Sequence, residues 1–197
     1  MKLYDISQEV FTCQVYPGDP IPRRKILASM DRGDLYNLTA FSMCAHNGTH
    51  IDAPAHFIQG GQTVEEIPLS KTVGYAYVCH HQGEVTAENA RKILATANNL
   101  NSEASKRILI GGDATVTLEA AEVFAEEKIY LIGNESQTVG PEDAPMAVHL
   151  KLLGAEVVLL EGIRLSDVPE GVYLLSAAPL LLKGADGSPC RAILMEI

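Results

Sequence analysis

Four side chains able to hold a metal ion fall within eleven positions of one another: His46, His50, Asp52 and His56, in the run His46-Asn47-Gly48-Thr49-His50-Ile51-Asp52-Ala53-Pro54-Ala55-His56-Phe57. All four occupy even positions, so a roughly extended backbone, with its period of two, sends them out on one side. A helix is disfavoured here by Asn47-Gly48, by the β-branched Thr49 and Ile51, and by Pro54. Neutral imidazole together with ionised carboxylate is a donor set for zinc or manganese. A single loop histidine would be read as a solvated residue. Four convergent groups without a cation would instead leave one another unsatisfied. The run reads as a metal site.

The surrounding elements must position these groups. Tyr36 to Met43 alternates well enough to form a strand leading into the motif, after a turn at Tyr16-Pro17-Gly18-Asp19-Pro20. Further strands are predicted at Leu3 to Ile6, Val73 to His80, Arg107 to Ile110, Ile129 to Ile132, Val157 to Leu160, Val172 to Ser176 and Ala192 to Glu196. Helical spacing covers Thr86 to Ala97, with Thr86 as cap and Asn89 three residues on, and Leu118 to Glu127. A third helix, Pro145 to Leu153 closed by Gly154, carries His149, and the strand after it delivers Glu161. By themselves these two read as a helix-face histidine and a surface carboxylate. With Gly154 turning the chain back between them, both can face the first motif across a cleft. Alternating strands and helices without an interdomain linker predict one mixed α/β domain over residues 1–197.

Composition excludes several partners. A chain of 197 residues with 47% hydrophobic and 20% charged residues is globular, and a net charge of -10 argues against a nucleic-acid backbone as ligand. Arg23-Arg24-Lys25 is short and reads as a solvated loop. Cys13, Cys44, Cys79 and Cys190 are widely spaced, as expected of reduced thiols in a cytoplasmic protein. No signal-peptide core follows Met1, and no stretch approaches a membrane span. His80-His81 reads as a solvated turn pair, and Asp186-Gly187 as a tight turn outside the site.

The motif His46-x-Gly48-Thr49-His50-x-Asp52-x-Pro54-x-His56 fills every defined position of the signature of a cyclase family that includes bacterial kynurenine formamidase and isatin hydrolase, and the chain resembles that family. Three more segments carry the likeness: His149-Leu150-Lys151-Leu152-Leu153-Gly154 with Glu161 twelve positions after His149, Tyr16-Pro17-Gly18-Asp19, and Gly184-Ala185-Asp186-Gly187-Ser188-Pro189-Cys190-Arg191. The resemblance implies an α/β fold, a single mixed-sheet domain of the swivelling β/β/α type. It implies that His46, His50 and Asp52 bind one metal ion and His149 a second, with Asp52 and Glu161 shared. His56 would stand outside that shell as proton donor and acceptor, and Tyr16 would contact substrate. The implied cofactor is zinc, as two ions, or manganese. Five candidate ligands, two of them carboxylates able to bridge, also exceed the needs of one tetrahedral site. The implied partners are a small-molecule substrate and copies of the same chain, as a dimer or dimer of dimers in which a neighbour helps close the site.

The expected reaction is metal-assisted hydrolysis of a small amide or cyclic amide, as in an arylformamidase. Tyr16 stands where kynurenine formamidase has tryptophan, and this chain contains none. Gly111-Gly112-Asp113 and Gly133-Asn134-Glu135 also depart from that enzyme's Arg-Thr and Gly-Ile-Asp-type strands. The family's chemistry therefore transfers further than any one substrate. Three other readings stand beside it. A lyase or dehydratase could use the same site, with His56 removing a proton. A non-haem iron oxygenase could use His50, Asp52 and His149, but would leave His46, His56 and Glu161 unexplained. A non-catalytic metal-binding protein would have no use for His56.

Overall fold

The apolar runs near residues 107–110, 129–132 and 157–160 become strands buried on both faces, an environment in which no polar alternation survives. The computed structural model describes residues 1–196. Its strands are β1 (Leu3–Asp5), β2 (Arg23–Ala28), β3 (Leu38–Ser42), β4 (His50–Asp52), β5 (Val73–His80), β6 (Gly83–Val85), β7 (Arg107–Gly111), β8 (Ala114–Val116), β9 (Leu131–Asn134), β10 (Val158–Glu161), β11 (Gly171–Ser176), β12 (Gly187–Pro189) and β13 (Ile193–Met195). The helices are α1 (Leu69–Thr72), α2 (Ala87–Leu100), α3 (Leu118–Glu126) and α4 (Met146–Gly154).

Nine strands form one mixed sheet in the order β1-β13-β11-β5-β7-β9-β10-β4-β12. Its centre, β5-β7-β9-β10, is parallel, and the crossovers between these strands contain α2, α3 and α4 in turn. Side chains alternate between two cores. Ile108, Ile110, Ile132 and Leu159 pack with Phe124, Val148 and Leu152 of the helices. Leu109, Leu131 and Leu160 pack on the other face with Ile6, Ile163, Leu175 and Leu194. The helix starts follow their caps: Thr86 and Asn89 form a reciprocal capping box on α2, and the Thr117 hydroxyl accepts from Ala120 N on α3.

Several boundaries move for identifiable reasons. Residues 23–25 are not a loop but the start of β2, which pairs with β3 as an exposed two-stranded ribbon. β9 begins at Leu131 because Ile129 and Tyr130 are engaged elsewhere, their N–H groups bonding Phe124 O and Lys106 O. Gly154 ends α4 but does not make the turn. Glu156 does so, at φ +59°, with Lys71 Nζ donating to its carbonyl oxygen. Glu161 is the last residue of β10 rather than the first beyond it.

Candidate metal centre

Antiparallel pairing of β10 with β4 sets Glu161 opposite His50 and Leu159 opposite Asp52. Opposed residues share a face of the sheet, and His50 and Asp52, two apart, share that face too. The extended-chain expectation holds for this pair alone. His46 lies in the turn before β4, and His56 in a 3₁₀ turn over Pro54–His56. From above, α4 lowers His149 on its buried side, next to Val148 and Leu152. His46, His50, His56, His149 and Glu161 all line one cavity of about 450 Å³, with Asp52 buried beside them.

Three of the four motif-and-helix histidines have one ring nitrogen engaged by an acceptor outside the cluster and the other aimed at its carboxylates. His50 Nδ1–H donates to Gly48 O at 2.9 Å, leaving Nε2 at 3.3 Å from Asp52 Oδ1 and 3.4 Å from Glu161 Oε2. His149 Nδ1–H donates to Pro145 O at 2.9 Å, and its Nε2 lies 3.3 Å from Glu161 Oε1 and 3.7 Å from Asp52 Oδ2. His46 Nε2 meets Asp186 Oδ2 at 2.9 Å, and its Nδ1 lies 2.8 Å from Asp52 Oδ1. Metal-binding histidines are held this way, the second nitrogen fixing the tautomer. Glycine is required at position 48: φ is +65°, and a Cβ would come within 2.9 Å of Cys13 Cβ. Glu161 is steadied by Val139 N–H, which donates to Oε1 at 2.9 Å.

With neutral rings, lone pairs and carboxylate oxygens face one another, and Asp52 Oδ2 has no hydrogen-bond partner. Burial opposes charging His50, but Asp52 and Glu161 outweigh it and push the imidazole pKa up to about 10. His46 and His149 move upward in the same way, burial again being overcome by Asp52 and Glu161 respectively. Asp52 is held well below the usual carboxylate range, its burial overcome by His46 and His50. The cluster thus draws positive charge into its centre. Three groups bring their ligand atoms within 4.8 Å of one another: the buried triads His46/His50/Asp52 and Asp52/His149/Glu161, with Asp52 common to both, and the less buried His46/His56/Asp186. Nitrogen and carboxylate donors in these numbers fit zinc or manganese.

The other expected residue, Tyr16, lines the same cavity, and its hydroxyl donates to Glu142 O at 3.0 Å. Asp19, Cys44, Phe57, Gln137, Thr138 and Pro145 also line it. His80 and His81 stay outside, their rings bonded to Val168 O and Glu84 O. Asp186 is a correction: it does not turn away but enters the site, contacting His46 and, at 3.1 Å, His56 Nδ1. A two-residue turn signal concealed it. The closing segment's family likeness was the one clue.

Comparison with known proteins agrees with this fold. Residues 4–141 match the model of the Cyclase family, described as "Putative cyclase". Kynurenine formamidase of Salinibacter ruber is 31% identical over 100% of this chain and 98% of its own length, and that of Erythrobacter litoralis is 30% identical over 100% and 94%. A protein described as a predicted metal-dependent hydrolase from Bacillus stearothermophilus superposes with a TM-score of 0.79, at 29% identity over 98% of this chain and 97% of its own. An isatin hydrolase bound to thioisatinate shares the fold, with a TM-score of 0.81 at 18% identity over 98% and 91%. The chain belongs to the Cyclase family.

Proposed function

We propose that this protein is a metal-dependent amidohydrolase that cleaves a small amide or cyclic amide at a non-peptide C–N bond. One observation carries the reading: His46, His50 and His149 each turn a ring nitrogen to Asp52 or Glu161 in the wall of one cavity. The names of the relatives, kynurenine formamidase and isatin hydrolase, support that reaction class.

His46, His50 and Asp52 would hold one ion and His149 a second, with Asp52 and Glu161 shared between them, and zinc or manganese would be the metal. Bound there, a divalent cation supplies Lewis acidity and lowers the pKa of water towards ~7. The remaining work falls to the chain. His56 stands beside the cluster, its ring stacked on His46 at 4.0 Å, and it is 27% exposed to the cavity. It takes up a proton as the carbonyl is attacked and returns it to the departing nitrogen. Phe57 and Pro145 give the cavity an apolar wall for an aryl group, and Tyr16 closes its rim.

Exposed Ile26, Leu27, Leu35, Tyr36 and Phe41 on and around the β2–β3 ribbon favour a second copy of the chain as partner, so we assign a homodimer. Four free cysteines suit the cytoplasm. No helix among the described residues is long and apolar enough to cross a membrane.

The test is turnover of the purified protein, loaded with zinc or manganese, on aryl formamides and isatin. Release of formate and arylamine, or ring opening of isatin, is expected, each with one water gained. Loss of water from a hydroxylated analogue, with no amide cleaved, would replace hydrolysis by the lyase reading.

A further inference from the structure

A single carboxylate oxygen joins the metal cluster to the proton-transfer histidine. Asp186 Oδ2 lies 2.9 Å from His46 Nε2 and 3.1 Å from His56 Nδ1, and the two imidazoles stack at 4.0 Å with 29° between their planes. An ionised carboxylate only accepts hydrogen bonds, so both nitrogens must carry protons to satisfy it. The consequence differs for the two rings. His46 keeps Nδ1 turned into the cluster, 2.8 Å from Asp52 Oδ1, as the nitrogen a bound cation would take. His56 is left with a bare Nε2, free to accept a proton.

Asp186 is held for this purpose even though its side chain is 49% exposed. Its carbonyl accepts from Ala53 N at 2.9 Å, and that of Ala185 accepts from Val64 N at 2.8 Å. The next residue, Gly187, pairs with Asp52 in the β12–β4 ladder. Glycine is needed there, because a Cβ would come within 2.5 Å of His46 Cε1 and 2.9 Å of Ile51 O. Backbone bonds on one side and the ladder on the other thus fix the carboxylate between two rings. An exposed carboxylate with no such duty would turn to solvent.

We propose that Asp186 is a positioning residue that sets the tautomer and ring orientation of both His46 and His56, so that the metal-binding nitrogen of one and the proton-accepting nitrogen of the other are presented to one cavity. The assignment of roles rests on the hydrolase reading. The tautomers do not.

The experiment uses zinc-loaded protein labelled with ¹⁵N in its imidazoles, comparing wild type with Asp186→Asn and Asp186→Ala. Two-bond ¹H–¹⁵N spectra report which nitrogen of His56 is protonated, and turnover of isatin and an aryl formamide is followed with zinc in excess. The Nδ1–H form is expected for His56 in wild type. In both variants it should give way to a mixture or to the Nε2–H form. Turnover should fall roughly 10–100-fold with KM within about twofold, the range found when a partner behind a metal ligand is removed. Unchanged tautomers in both variants, or unchanged kcat, would overturn the proposal. A wild type inert towards both substrates would count against the hydrolase reading alone, because the spectra still decide whether Asp186 sets the rings.

Discussion

Glu161 and His50 face each other across the β10–β4 ladder, with Oε2 3.4 Å from Nε2, and both are almost fully buried. Strand pairing therefore builds half of the cluster. A buried carboxylate set among imidazoles gains nothing from packing, so its value lies in what it binds.

Asp52 is common to both triads, and removing it should empty both. Asp52→Ala is expected to lose bound metal and to reduce turnover by more than the ~10–100-fold typical of residues behind the ligands. Elemental analysis beside wild type checks this. About two equivalents in wild type and none in the variant is the expected result. Metal retained by Asp52→Ala would contradict the assignment.

His56 should behave in the opposite way. It meets the cluster by stacking on His46, edge-on against His149 and through Asp186. His56→Ala is expected to keep its metal while turnover falls ~10²–10⁴-fold, the usual contribution of a general acid–base group. Metal content and kcat measured on one preparation separate the two effects, and simultaneous loss of metal would move His56 into the ligand shell.

Chelation should destabilise the fold as well as stop turnover. Without a cation, Asp52, Glu161, His50 and His149 remain buried together beside half-buried His46 and must recruit protons to offset the carboxylates. Any ligand that binds only the folded state stabilises it, by about 2.7 kcal/mol at a hundredfold excess over Kd. A lower melting temperature after chelation, restored by zinc or manganese but not by magnesium, is expected in a thermal-shift assay.

Much of this centre was legible in the sequence because its densest part is local. His46, His50, Asp52 and His56 declare themselves by spacing, and the apolar runs of β7 and β10 declare strands of a mixed α/β domain. The proposed ligands His149 and Glu161 needed a family likeness, since Glu161 reaches His50 through β10–β4 register and His149 through the packing of α4, neither of which a local pattern encodes. Asp186 was misread for the same reason: its partners are 130 and 140 positions away. The β2–β3 ribbon was half missed because the charges at 23–25 look solvated, and exposed strands are solvated too.

Arg107 tests the sheet away from the site. It is 4% exposed, and its guanidinium donates to Lys71 O, Tyr75 O and Ser70 O, three carbonyls at the junction of α1 and β5. Burial lowers its pKa from the ordinary arginine value, with Glu103 acting against that shift. Arg107→Leu would leave those carbonyls without donors, at roughly 1–3 kcal/mol for each that water cannot reach. A total loss of about 2–4 kcal/mol in denaturant unfolding is expected, with metal content unchanged. A loss below ~0.5 kcal/mol would mean that water replaces the guanidinium.

Thiol reactivity gives a pH-dependent check on the same core. Burial pushes the Cys79 and Cys190 thiols up to about 12, whereas an unfolded cysteine ionises near ~8.5. Buried Cys79 should resist a thiolate-directed reagent in the native protein at pH 9, while all four cysteines react after denaturation. The linkage has a definite sign. A folded pKa above the unfolded one contributes stability that is complete below about pH 8.5 and is lost progressively as pH rises towards 12. Wild type should therefore lose melting temperature across that range more steeply than Cys79→Ala, which has one fewer buried thiol to ionise on unfolding. Parallel curves for the two proteins, or rapid labelling of Cys79 at pH 9, would show that β5 opens to solvent in the native state.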